Sequence, residues 1–162
     1  MARAFDVSLP VIWLFLLLAL CLQVMPLAEG WQLYRPDWVG LMLIYGCMYA
    51  PGRVGVLHGF VLGILLDLMQ GSVLGQSALV LSLLGFLCAL VYARFRAYSL
   101  LQQAVLILVL LGIVQLVDQW IRTLWGDFAI HLAFLLPALS SALLWPWLAT
   151  LLDAVTGRRR TP

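Results

Sequence analysis

The stretch Gly55-Val56-Leu57-His58-Gly59-Phe60-Val61-Leu62-Gly63-Ile64-Leu65-Leu66-Asp67-Leu68-Met69-Gln70-Gly71-Ser72-Val73-Leu74-Gly75 decides how the rest of the chain reads. It is almost wholly apolar, and Gly55, Gly59, Gly63, Asp67, Gly71 and Gly75 fall at every fourth position. Four-residue spacing holds side chains on one slowly drifting face of an α-helix. Up to about Asp67, missing side chains on that face let another backbone approach closely, as in helix pairs within a bilayer. The stretch therefore predicts a membrane helix with a packing groove, available to another helix of the chain or to a partner.

Asp67 lies at the end of that groove. An aspartate at the centre of a membrane helix costs about 2.5–3.5 kcal/mol, so it needs a partner, a water-lined pocket or a place near the interface. Three readings stand: Asp67 caps the break before Gly71, it binds a partner or controls an adjacent helix, or it takes part in chemistry. His58 sits beside the groove with no second ligand suggested, and reads as a packing histidine, as does His131.

The composition gives the same solvent. Of 162 residues, 65% are hydrophobic and 10% charged, with a mean hydropathy of +1.08. A soluble domain is about 45–50% apolar and about 25% charged, so too little polar surface remains to cover a soluble globule. Residues 1–162 read as a single polytopic membrane domain. All nine basic residues are arginine and the formal charge is +2, which leaves no basic stripe for nucleic acid. Cys21, Cys47 and Cys88 are odd in number, lack CxxC spacing and lie in apolar runs, so they read as small buried apolar residues. No cofactor or metal is expected.

Continuous leucine-rich runs without apolar/polar alternation exclude a β-barrel. Helices are expected at about 9–28, 38–50, 54–70, 73–93, 99–121 and 128–152. The first run is too long for a signal-peptide core and has no A-x-A-like exit, so it is expected to be retained. The second and third are short, and only Ala50-Pro51-Gly52-Arg53 separates them. One helix from Trp38 to Met69 would be about 48 Å long, too long for a core of about 30 Å, so a hairpin is the better reading.

Six crossings put both termini on one side. With that side cytoplasmic, it carries Arg3, Arg53, Arg94, Arg96, Arg158, Arg159 and Arg160, against Arg35 and Arg122 opposite. This is a strong positive-inside pattern. Trp31, Tyr34, Trp38, Tyr98 and Trp125 fit an interfacial aromatic belt, and the basic tail can rest on anionic membrane lipid. The fifth helix carries a polar face, Gln115, Asp118, Gln119 and Arg122. Asp118 and Arg122 can pair at i, i+4, and the face reads as buried inside the bundle or as the lining of a pathway.

Taken in order and spacing, several segments resemble the MreD family of bacterial rod shape-determining membrane proteins. They are Val11-Ile12-Trp13, Arg35-Pro36-Asp37-Trp38, Gly59 to Gly63 running into Asp67 to Gly75, and Leu144-Trp145-Pro146-Trp147. The resemblance covers nearly the whole chain. It implies an inner-membrane component of the rod (elongation) complex that binds MreC. Through that complex it works with MreB, RodA and a class B penicillin-binding protein on lateral peptidoglycan synthesis and cell shape. It also implies a six-helix fold similar to the substrate-binding subunits of energy-coupling-factor vitamin transporters.

Three classes of function compete. A membrane scaffold fits the packing groove and the absence of a catalytic constellation. A small-molecule-binding transporter subunit would need a pocket from residues such as Asp67, Gln115 and Asp118. An intramembrane enzyme finds no HExxH, GxSxG or spaced His/Asp/Ser set. The scaffold, not an enzyme, is the expectation carried forward.

Overall fold

The computed structural model describes residues 9–26, 34–50, 52–95, 97–124 and 135–156. Six α-helices occur in them: α1 Leu9–Val24, α2 Trp38–Tyr49, α3 Val56–Gln70, α4 Gln76–Phe95, α5 Leu100–Leu124 and α6 Leu136–Val155. The helices α4, α5 and α6 are long and apolar enough to cross a membrane, and α1 to α3 are shorter apolar helices. Large side chains such as Leu57, Leu101, Trp120, Leu124, Leu143 and Trp147 are more than two-thirds exposed. Apolar surface on that scale needs hydrocarbon around it, and the chain is a membrane protein.

Local chemistry sets the helix ends. The first helix stops at Val24, short of the expected residue 28, because Pro26 disfavours helical backbone at Met25. Asp37 caps α2, its carboxylate accepting the Gly40 N–H at 2.9 Å. After Ala50 the chain turns at once: the Arg53 and Val54 N–H groups both donate to the Ala50 carbonyl at 3.1 Å, and Gly52 has φ +85°. At the start of α5 the Ser99 N–H donates to Gln102 Oε1 at 3.0 Å, one of the two bonds of a capping box. The sixth helix begins at Leu136 with Pro137 in its first turn, where a missing N–H costs nothing; residues 128–134 of the expected span lie outside the described residues.

The shortest helix is the most enclosed. Val39 to Met48 of α2 are buried, with α1, α3, α4 and α6 around them. A helix apolar all round belongs in a core. At about 18 Å, α2 falls short of a hydrocarbon core of about 30 Å, but its neighbours cover its sides.

Against α2, Trp145 of α6 is fully buried and packs edge-to-face on Phe95 at 5.9 Å. Its indole N–H donates to Gln103 Oε1 at 3.2 Å. The Gln103 amide N–H in turn donates to the Phe95 and Tyr98 carbonyls at 3.3 and 3.1 Å, tying the α4–α5 turn to α6.

Candidate functional site

The glycine groove is filled from within the chain. A Cβ on Gly59 would lie 2.3 Å from the Leu81 carbonyl oxygen, and one on Gly63 would lie 2.2 Å from the Ala78 Cα. From the other side, a Cβ on Gly85 would lie 3.0 Å from the Gly55 carbonyl carbon. Contacts that step down α3 while stepping up α4 define an antiparallel hairpin closed backbone against backbone. Gly71 and Gly75 do something different. With φ of +64° and +99° they supply left-handed turn conformations. This is why α4 starts at Gln76 and not at the expected residue 73.

Asp67 is fully buried and organises that turn. One carboxylate oxygen accepts the Ser72 hydroxyl at 2.9 Å and the Ser77 N–H at 3.1 Å; the other accepts the Gly75 N–H at 2.9 Å. Its backbone carbonyl accepts the Gly71 and Ser72 N–H groups at the helix end, a C-cap built around the left-handed glycine.

Around this turn the bundle gathers its polar groups. Gln76 at the start of α4 donates to Asp118 Oδ1 at 2.7 Å, and Arg122 Nε donates to Asp118 Oδ2 at 2.9 Å. Arg122 is about half exposed. The other members of the expected polar face, Gln115 and Gln119, are half-buried, and the Gln119 carbonyl accepts the Thr123 hydroxyl at 2.8 Å.

At the same end the Asp37 N–H donates to the Ser141 hydroxyl at 2.8 Å, and the Trp38 N–H to Gln23 Oε1 at 3.0 Å. Arg35 donates to the Leu22 carbonyl. Pro36 stands between them in the segment leading into α2. Burial pushes the Asp37 carboxyl above its ordinary range; the Gly40 N–H draws it back and the charge of Asp118 raises it again.

The opposite end holds Arg53 and Arg94 and a second buried acid. Asp153 accepts the Tyr45 hydroxyl at 3.2 Å, and Tyr45 also meets Thr156 at 3.3 Å. Arg3, Arg96 and Arg158 to Arg160 lie outside the described residues, as do Glu29, Trp31, Trp125, Asp127 and His131. His58 is half-buried against Trp13, ring centres 5.2 Å apart. Cys47 and Cys88 are buried but Cys21 is exposed, a correction to its expected burial, because it lies on the outer side of α1. Pro146 stands inside α6, with Trp145 in the core and Trp147 facing outward.

Several linkages escaped sequence reasoning. Asp153 carried a usable signal, an acid inside an apolar helix. Tyr45, Gln76, Gln103 and Ser141 carried none, since their partners lie far along the chain.

These features define a small helical membrane protein whose polar side chains mostly join one helix to the next. The family model described as rod shape-determining protein MreD matches residues 5–155. The rod shape-determining protein MreD of Haemophilus influenzae is 34% identical over 146 residues, covering 87% of each chain. The chain belongs to the MreD family of rod shape-determining proteins, and its role is in cell shape. No solved structure matches it.

Proposed function

We propose that this chain is a non-enzymatic component of the rod (elongation) complex in the bacterial inner membrane. It binds MreC and, through the complex, works with MreB, RodA and a class B penicillin-binding protein to organise lateral peptidoglycan synthesis. The observation that carries this reading is family membership over nearly the whole chain. The chemistry of the polar groups supports it. Asp67 spends its carboxylate on a turn, and Asp118 is held between Gln76 and Arg122. Groups committed in this way hold a shape and leave little to do chemistry, and they weigh against the transporter-subunit alternative that would draw a pocket from Asp67 and Asp118.

The topology proposed with it has six crossings and both termini cytoplasmic, in a fold similar to the energy-coupling-factor binding subunits. Hydrogen bonds from α2 to α1 and α6 and from α4 to α5 place Arg35 and Arg122 near one end of the bundle. The Ala50–Val54 turn and the last turn of α4 place Arg53 and Arg94 at the other.

Clean deletion in a rod-shaped host tests the function: the cells should round up, and retained rods would count against it. A C-terminal alkaline phosphatase fusion tests the topology. It should be inactive, and an active fusion would overturn the six-crossing count.

A further inference from the structure

We propose that two copies of this chain pair in the membrane along the outer face of α6, each Trp147 indole N–H donating to the Thr150 hydroxyl of the other copy. Trp147 is 78% exposed and stands near the middle of α6. At 1.5 Å per residue it lies about 12 Å or more from either end of the helix. A lipid-facing tryptophan belongs at the membrane interface, where its N–H meets headgroups and water. Trp13, Trp38 and Trp120 obey that rule, each lying close to a helix end. Trp145 shares the depth of Trp147, but it is buried and its N–H reaches Gln103. The Trp147 N–H has no acceptor among the described residues. Lipid supplies none either. Ester groups begin only at the edge of a hydrocarbon core about 30 Å thick, so an acyl chain covers the ring and leaves the donor unsatisfied.

The missing acceptor is present on the same face. The exposed Thr150 hydroxyl gives its own proton to the Trp147 carbonyl at 2.8 Å, which leaves its oxygen lone pairs to receive another. Leu143, Trp147, Thr150 and Ala154 are all exposed, at spacings of four, three and four residues. That is the spacing of the seam between two helices that cross at a shallow left-handed angle. Bulk at Leu143 and Trp147 gives way to small side chains at Thr150 and Ala154, where a second backbone can come close.

This pattern selects a second copy as the occupant. An indole is a donor only, so a face with the donor alone would need a foreign acceptor, but this face holds both halves of the bond. Copies inserted in the same orientation set their α6 helices parallel about an axis along the membrane normal. Trp147 and Thr150 are separated by about 4.5 Å along the helix, and the two-fold axis turns one such pair into two reciprocal bonds.

The test is energy transfer between full-length copies carrying C-terminal donor and acceptor fluorescent proteins, in vesicles of phosphatidylethanolamine and phosphatidylglycerol over a range of protein-to-lipid ratios. The wild type should follow a monomer–dimer curve. Trp147→Phe and Thr150→Val each remove both reciprocal bonds and should weaken pairing about tenfold, at unchanged melting temperature because both positions are exposed. The double variant should be no weaker than either single one, since the two changes break the same bonds. Thr150→Ser keeps the acceptor and should pair as the wild type does, as should Trp120→Phe, which alters an equally exposed indole on α5. A wild type that stays monomeric at every ratio overturns the proposal, including one that pairs only with another protein. So do losses that add in the double variant, or a Trp120→Phe as weak as Trp147→Phe. Should Trp147→Phe fail to fold, Thr150→Val decides: unchanged pairing refutes the bond.

Discussion

The α3–α4 hairpin and the seam where α1 and α2 meet the C-terminal end of α6 are opposite solutions to the packing of helices without a hydrophobic effect to drive them together. In the hairpin, Gly59 and Gly63 bring α3 against the backbone of α4 so closely that a single Cβ has no room. At the seam a cleft remains, and below it α6 is fastened to α2 through Tyr45, Asp153 and Thr156. Close backbone approach gives dispersion contacts along a whole helix. Hydroxyl-to-carboxylate bonds fix one point only. The hairpin is therefore expected to be the rigid half of the molecule and the seam the adaptable half.

The largest effect expected from this contrast is at Gly63. A leucine there meets backbone atoms of Ala78 and Ser77, which cannot swing aside. Overpacking costs about 1–3 kcal/mol and occasionally more, and Gly63→Leu or Gly59→Leu should reach the top of that range. Gly112→Leu should be far milder, since a Cβ there meets only the Leu135 side chain at 3.8 Å. Membrane level and thermal melting in detergent check it; equal tolerance at the three sites would break the comparison.

Next comes Asp67, which closes the hairpin. Replacement by leucine removes the carboxylate that accepts the part-buried Gly75 and Ser77 N–H groups, each such bond to a charged group being worth about 1.5–3 kcal/mol. Asp67→Asn retains an acceptor oxygen and should lose much less, keeping most shape-complementing activity at matched membrane level. An Asn variant as defective as the Leu variant would show that the charge itself is required, and would move Asp67 from turn formation to partner binding.

The smallest effect belongs to the seam. Tyr45→Phe removes one hydroxyl bonded to Asp153 and Thr156, a loss of about 1 kcal/mol, with α3 and α4 undisturbed. Hydrogen exchange should rise at the ends of α2 and α6 and stay constant in α3 and α4. Faster exchange in the hairpin would mean that the two halves are coupled.

The close-packing face of α3 was legible in the sequence; its partner α4 and the seam were not. Glycines at every fourth position announce close packing, yet their spacing does not say that the last two serve a turn. Gly59 and Gly63 are excluded volume in another helix's path, whereas Gly71 and Gly75 are backbone conformation. One periodicity hid two physical roles. The occupant of the groove was open as well, because spacing along one helix carries no information about which helix fills it.

The polar face of α5 was visible as a pattern, and its Asp118–Arg122 pair formed as i, i+4 spacing requires. Its link to Gln76 spans 42 residues of chain and left no trace in either segment. The same holds for Tyr45 and Asp153, 108 residues apart. Short-range spacing is written in a sequence; the pairing of distant polar groups is decided by packing.

The central claim is that the molecule acts by holding a fixed shape against a partner in the membrane. Its most direct test is affinity purification of the tagged full-length protein from native membranes in mild detergent, with MreC measured by immunoblot. The account predicts that MreC is retained by the wild type and by Asp67→Asn at equal membrane level, and lost with Gly63→Leu beyond its fall in abundance. A wild-type protein that is folded, abundant and free of MreC would contradict it.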